Sequence, residues 1–336
     1  MKFDDVFSEV GEFGYYQKQI YLLTCLAPIC VSMQVLAGVF IQATPDHRCS
    51  LPDLPNDTYA SQGLWHDALV NASIPWDDDD EKYDQCKLRR VPGRLDDDTV
   101  SCEKWVYSKD PFKSTFVTDG DFVCDDSILV TYASMIFMCG MLFGSLVLGI
   151  LADTIGRKKI MILSTLCLMA SSLGVAWADS YALFVTLKFL ALFFATGMML
   201  AAFVIGMEIV GPSKRRLAGN IGNFFWVSGL FLETGMAYWL RDWKHFQIAI
   251  SIILAVSLLI LAGFLPESPR WLLQRGKTKE AGEIIQKMAE RNGLVLSPKI
   301  RQLNNVTFES NNTQSVWHIF TYRSLVLRSF IMFYNW

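Results

Sequence analysis

Long apolar stretches alternate with polar loops along the chain. Runs of about 20 residues with few charges, the length a helix needs to cross a bilayer, occur near 20–42, 128–152, 160–178, 181–207, 218–240 and 246–265. A seventh run begins near Leu325 and is cut off at Trp336. The pattern predicts an all-α membrane protein with a tail over 1–19, a first span over 20–42, a polar loop over 43–127, five further spans over 128–265, a polar segment over 266–324 and the start of another span over 325–336. The run Ile20–Gln42 carries no charge, is preceded by Asp4, Asp5, Glu9 and Glu12, and is too long for a signal-peptide core. It therefore reads as a retained span, with Pro28 tolerated inside it because neighbouring helices can satisfy the freed backbone groups.

The segment after the sixth run has its own order. Ser268-Pro269 is an N-cap followed by proline at the first helical position, and Gly276 closes that short helix. Ala281, Ile284, Ile285, Met288 and Ala289 then form a helical stripe ended by Gly293. Such a stripe must lie on the membrane surface or on the ends of the bundle. From Ser297 to Gln314 the chain is polar and irregular.

Composition supports lipid as the solvent for much of the chain. With 52% hydrophobic and 19% charged residues and a mean hydropathy of +0.28, the chain is too apolar for disorder. Its formal charge of −3 gives no basic footprint for nucleic acid. The distribution of charge sets the orientation. Arg157-Lys158-Lys159, Lys214-Arg215-Arg216 and the segment 266–328, with ten Lys/Arg against five Asp/Glu, all fall on one side. That side is cytoplasmic, together with the N-terminus; Arg241 and Lys244 are the local exception.

The 43–127 loop is then extracellular, and its chemistry agrees. Cys49, Cys86, Cys102 and Cys124 form an even set suited to an oxidising space, with three possible pairings. Asn56 and Asn71 head glycosylation sequons on the loop, whereas the sequons at Asn305 and Asn311 lie on the cytoplasmic side. The loop holds 19 acidic and 9 basic residues, a net of −10. Its run from Asp77 to Glu81 reads as a solvated acidic surface in preference to a cation cage. No Cys-x-x-Cys or paired-His spacing suggests zinc. The four His are scattered and no nucleophile–base constellation or phosphate loop occurs, so neither an enzyme nor a cofactor is expected.

Three cytoplasmic segments carry a pattern. The first is Gly140-Met-Leu-Phe-Gly144-Ser-Leu-Val-Leu-Gly149-Ile-Leu-Ala-Asp153-Thr-Ile-Gly156-Arg157-Lys158-Lys159. In it the glycines allow close helix approach, Asp153 closes a helix and Gly156 makes the turn. With Glu208-Ile-Val-Gly-Pro-Ser-Lys-Arg215 and Pro266-Glu267-Ser-Pro-Arg270-Trp, it resembles the charge motifs of the major facilitator superfamily. Pro45-Asp46-His47-Arg48-Cys49, Cys102-Glu-Lys-Trp105-Val-Tyr107 and Val117-Thr118-Asp-Gly-Asp-Phe-Val123-Cys124-Asp125 narrow the resemblance to the organic cation, anion and carnitine transporter family. The opening Phe3-Asp-Asp-Val-Phe and Gly11-Glu-Phe-Gly14, with Pro75-Trp76-Asp-Asp in the loop, look most like its invertebrate organic cation transporters. Thr154 stands where the motif usually has Arg or Lys, and Lys188 and Leu192 where the family often has Arg and Gly.

The resemblance implies a secondary transporter that moves small organic cations or zwitterions across the plasma membrane by alternating access. Such proteins are two six-helix halves around a midplane site, and this chain resembles the N-terminal half, so its partners are the bilayer, a small organic ion and the half carrying helices 7 to 12. The resemblance also implies pairing of Cys49 with Cys102 and Cys86 with Cys124. It further implies a cytoplasmic gate of Asp153, Gly156, Arg157, Glu208, Arg215, Glu267 and Arg270, against which stands ordinary interfacial charge. Met199, Phe203, Asn223 and Trp226 match substrate-contacting positions, and aromatic faces attract cations. Gln34 is a lone amide in the first span. For all five, helix packing is the competing role. Lys188 and Glu233, each about 10 Å below the extracellular ends of their spans, form an ion pair, snorkel, or face substrate. The alternatives in function are an organic anion transporter, a non-transporting half-length membrane protein, and a seven-helix receptor, which would need an extracellular N-terminus.

Overall fold

The computed structural model describes residues 6–52, 54–77, 82–90, 93, 99–296 and 326–328. Asp78–Glu81, the 297–314 segment with Asn305 and Asn311, and all of the last apolar run except the helical 326–328 lie outside them. After a short helix α1 (Val6–Val10), the first apolar run folds as two helices, α2 (Tyr15–Thr24) and α3 (Leu26–Ile41), separated at Cys25. Pro28 explains the break: it has no N–H for the Thr24 carbonyl, and its ring crowds that carbonyl. The Thr24 hydroxyl turns back to donate to Tyr21 O at 2.7 Å.

In the following loop α4 covers Leu64–Ser73 and α5 Phe116–Gly120. The later runs form α6 (Ser127–Ile155), α7 (Arg157–Val175), α8 (Tyr181–Ile209), α9 (Arg215–Leu240) and α10 (Trp243–Phe264). Tyr15–Ile41, Cys124–Ile155, α7, α8 and α10 are long and apolar enough to cross a membrane. The fifth expected span, 218–240, is the 26-residue helix α9, which is not among them. Arg215, Arg216, Asn220, Asn223 and Glu233 lower its hydropathy.

The helices pack with an internal regularity. α8 is central, against α6 and α7; α3 packs on α9 and α10; α7 meets α10. Exchanging α3 with α8, α6 with α9 and α7 with α10 maps this set of pairs onto itself, as two three-helix repeats would. The α6–α8 crossing explains two glycines of the first motif. A Cβ at Gly140 would lie 2.5 Å from Phe189 O, and one at Gly144 2.3 Å from Phe193 O.

The loop contains three two-stranded antiparallel ladders: β1 (His47–Cys49) with β6 (Trp105–Tyr107), β2 (Trp76–Asp77) with β3 (Lys82–Tyr83), and β4 (Lys87–Arg89) with β5 (Thr99–Ser101). Disulfides join Cys49 to Cys102 and Cys86 to Cys124. The latter sulfurs lie near His47, but in a disulfide they offer no thiolate to a metal. A small core of Cys49, Leu51, Val70, Ile74 and Cys102 covers a buried charge cluster. Arg48 donates to both oxygens of Asp57, at 2.8 and 2.5 Å, and His66 Nε2 lies 3.0 Å from the same carboxylate. Burial alone would raise the Asp57 pKa; bonds from Arg48, His66 and the Leu51 N–H instead hold it below the ordinary carboxylate value. Asn56 and Asn71 are both exposed, and the Tyr83 hydroxyl donates to the Asn71 amide oxygen. The loop is anchored to the bundle where Phe116 stacks on Phe184, 3.5 Å between ring centroids, and Trp243 Nε1 donates to Asp119 at 2.9 Å.

At the opposite end, α11 (Pro269–Gln274) is capped by the Ser268 hydroxyl, and α12 (Thr278–Asn292) ends at Gly293 with φ +71°. The α12 stripe lies on protein: Ala281, Ile285, Met288 and Ala289 are buried in one cluster with Val6, Val10, Tyr16, Ile20 and Leu273.

Candidate functional site

The break at Cys25 leaves room between α2, α3, α8 and α9. A cavity of ≈ 130 Å³ opens there, lined among others by Tyr21, Pro28, Met199, Phe203, Gly222 and Asn223. Its lining residues include no Lys, Arg, Asp or Glu. Gly206, Gly219 and Gly222 keep its walls low, and the Tyr21 hydroxyl donates to Ala218 O. Three of the residues singled out in the sequence, Met199, Phe203 and Asn223, thus share one cavity. Trp226, one helical turn from Asn223, instead packs partly buried against the main core.

Gln34, Lys188 and Glu233 also lie outside this cavity. Gln34 is not a lone amide. Its Oε1 accepts from Ser172 Oγ at 3.3 Å and Gln247 Nε2 at 3.5 Å, while Ser172 Oγ is 2.9 Å from Ser251 Oγ. Lys188, 1% exposed, donates to Gln247 Oε1 at 3.3 Å. Glu233 is 0% exposed, and neither carboxylate oxygen has a hydrogen-bond partner. The two charges act on each other through space, but the expected direct pair is not made because Gln247 takes the ammonium. Neither snorkels, and neither lines an open cavity, because both are enclosed by helices. Ser172, Gln247 and Ser251 were overlooked in the sequence; their one signal was polarity inside apolar runs.

The charged motif residues between the helices converge. Arg157, 6% exposed, reaches Glu208 at 3.2 Å and Asp153 at 3.3 Å through Nη2. Glu208 Oε2 accepts from Ser268 Oγ at 2.5 Å, and the Arg270 charge also acts on Glu208. Glu267 Oε1 accepts from the Lys158 N–H at 3.0 Å and the Ser268 N–H at 3.1 Å. It therefore caps the exposed donors at the start of α7 from another element. Gly156, with φ +124°, leaves space for it: a Cβ there would be 2.8 Å from Glu267 Oε2. Arg215 Nε donates to Met207 O at 3.2 Å near the end of α8. The Thr154 hydroxyl bonds only within its own helix, to Ile150 O and Leu151 O. The cation lacking at that position is met from α11's end: Arg275 Nη2 donates to the Asp153 and Thr154 carbonyls at 2.9 and 3.0 Å. Trp271 Nε1 donates to Asp153 O at 2.9 Å. These last two residues are a further part of the cluster that charge reading alone passed over.

A sequence profile described as sugar (and other) transporter matches residues 80–334. The chain belongs to that family. It is 33% identical to the organic cation transporter protein of Drosophila melanogaster over 353 residues, covering 100% of this chain and 63% of the relative. It is 30% identical to human organic cation/carnitine transporter 2, covering 98% of this chain and 62% of that protein. The chain thus spans a little over three-fifths of the length of these relatives. The fold is similar to the partially occluded inward-open xylose transporter XylE from E. coli, with a TM-score of 0.51 and 14% identity over 86% of this chain and 58% of that one. Membership makes the chain a membrane protein of a transporter family, as the apolar runs and motifs implied, and not an enzyme.

Proposed function

We propose that this chain forms the N-terminal helical domain of a secondary transporter for small organic cations or zwitterions in the plasma membrane, with its N-terminus in the cytoplasm. It would work by alternating access together with the part of its relatives' length that it does not span. The observation that carries the substrate class is the cavity at the α2–α3 break. Tyr21 and Phe203 offer ring faces there, Asn223 offers an amide, and its lining has no cationic side chain to repel a positive ligand. An organic anion would need a compensating positive group; Lys188, the cation within the spans away from their ends, is enclosed elsewhere and bonded to Gln247. The relatives' names, organic cation and organic cation/carnitine transporter, point the same way.

The Arg157–Glu208–Ser268 cluster, with Asp153, Glu267 and Arg270, is read as the cytoplasmic latch. It ties the α6–α7 turn to the α8 and α10 ends, so separating it would let those ends move apart.

Uptake by cells expressing the full open reading frame tests the proposal with three probes: tetraethylammonium, carnitine and p-aminohippurate. The expected result is uptake of one or both of the first two, reduced by Phe203→Ala, with p-aminohippurate excluded. Preferential p-aminohippurate uptake would establish the anion alternative. No uptake of any probe by a surface-expressed chain would count against transport altogether.

A further inference from the structure

A second and larger recess lies away from the central cavity. Between α2, the last turn of α10 and the second half of α12 runs a groove of ≈ 620 Å³. Ile20, Leu22 and Phe264 form its apolar sides, and Gln19, Lys287 and Arg291 its polar rim. Leu22 is 57% exposed and Phe264 71% exposed, so among the described residues the groove opens sideways at the level of the apolar ends of α2 and α10.

The rim is positively charged and uncompensated. Lys287 and Arg291 are four residues apart on α12 and so project from one face. Arg291 donates to the neutral Gln19 Oε1 at 3.1 Å. Among the described residues no carboxylate lies within 4.0 Å of either cation, whereas Arg157 has two and Lys277 has Glu280 at 3.0 Å. The helix that carries them is held in place. The apolar stripe of α12 is already buried against α1, α2 and α11, which fixes the polar face over the groove.

The level of the groove completes the match. The apolar run of α2 begins at Ile20 and that of α10 ends at Phe264–Leu265, so the rim sits where hydrocarbon gives way to headgroups. We propose that the groove binds one anionic phospholipid, its phosphate against Lys287 and Arg291 and its acyl chain along Leu22 and Phe264. Basic side chains at this depth attract anionic lipid, and the sideways opening admits a chain that a soluble phosphate lacks. The inference rests on the reading that 266–296 faces the cytoplasm, the leaflet rich in such lipids. Binding in symmetric micelles does not depend on that orientation, so the two stand or fall separately.

Native mass spectrometry of the full chain in detergent micelles, titrated with palmitoyl-oleoyl phosphatidylserine or phosphatidylcholine, tests the site. Phosphatidylserine is expected to bind the more tightly. Lys287→Gln and Arg291→Gln should each weaken it about five-fold and together ~25-fold, while Lys279→Gln, on the same helix outside the groove, leaves it unchanged. Equal binding of both lipids, or wild-type phosphatidylserine affinity in the double variant, overturns the proposal. Glycerophosphoserine competing as well as the intact lipid would overturn the acyl-chain part. A photoreactive phosphatidylserine gives a readout in the unaltered chain: crosslinks should fall within 16–23, 263–266 or 287–291, and their absence there refutes the site.

Discussion

Gly156 lies between the end of α6 and the start of α7 with φ +124° and ψ 145°, a region that L side chains avoid at a cost of about 1–3 kcal/mol. Its missing Cβ also admits Glu267, whose carboxylate caps α7 and whose backbone leads into α11. The residue therefore couples a turn to a capping contact, and both are lost together. Gly156→Ala should lower thermal stability of the purified chain by ~2 kcal/mol or more. Gly149→Ala in the middle of α6 is the control, since its nearest neighbour would be Leu200 at 4.0 Å, and a helical Gly→Ala change is neutral or slightly stabilising there. Equal unfolding midpoints for the two variants would show that the Gly156 turn is not under this constraint. The sequence marked Gly156 as a turn but not Glu267 as its neighbour, because a separation of 111 positions (267 − 156) hides a contact that only the fold makes.

The elements at the α11–α12 end of the bundle depend on one another in a way their separate sequences do not reveal. Asn292, in the last turn of α12, donates to Val10 O and Gln17 Oε1, both at 2.8 Å, and accepts from the Tyr16 N–H at 3.1 Å. One amide thereby ends α1, starts α2 and holds α12 against both. Asn292→Ala strands three polar groups, each worth about 1 kcal/mol, and should raise amide exchange across 15–19 and 278–292 together while leaving α6 to α8 protected. Hydrogen-exchange mass spectrometry reads this directly; faster exchange in only one of the two segments would mean they are not one unit. The stripe and both caps of this region were legible in sequence because helix periodicity and capping are local. Where the stripe would lie was not, since membrane and protein satisfy it equally. The same limit applies to the first run: Pro28 was visible, but whether it bends a helix or divides it depends on what packs around Thr24 and Cys25. Strands of two or three residues in the loop are too short for any period to show.

At the scale of the whole molecule, two asymmetries support the proposed direction across the membrane. One end of the bundle carries Arg157, Lys158, Lys159, Lys214, Arg215 and Arg216; the other carries the acidic loop with its two disulfides. The order of the long apolar helices was readable because each run needs only its own residues, but their number was not: the first run divides at Cys25 and α9 is not among the five candidate spans. The internal repeat and the Lys188–Gln247–Ser172–Gln34 network were not, because both are relations between helices far apart in sequence. Orientation itself rests on charge counting and on the loop chemistry, which are independent, and glycan attachment can test both at once. Asn56 and Asn71 are exposed on the loop, and the proposed topology puts the sequons at Asn305 and Asn311 on the opposite side. Peptide N-glycosidase should therefore collapse the chain from a doubly modified to an unmodified species, and Asn56→Gln with Asn71→Gln should abolish the shift without changing expression of the disulfide-bonded loop. Sugar found at Asn305 or Asn311 would invert the topology, place the latch outside, and move the lipid groove to the outer leaflet.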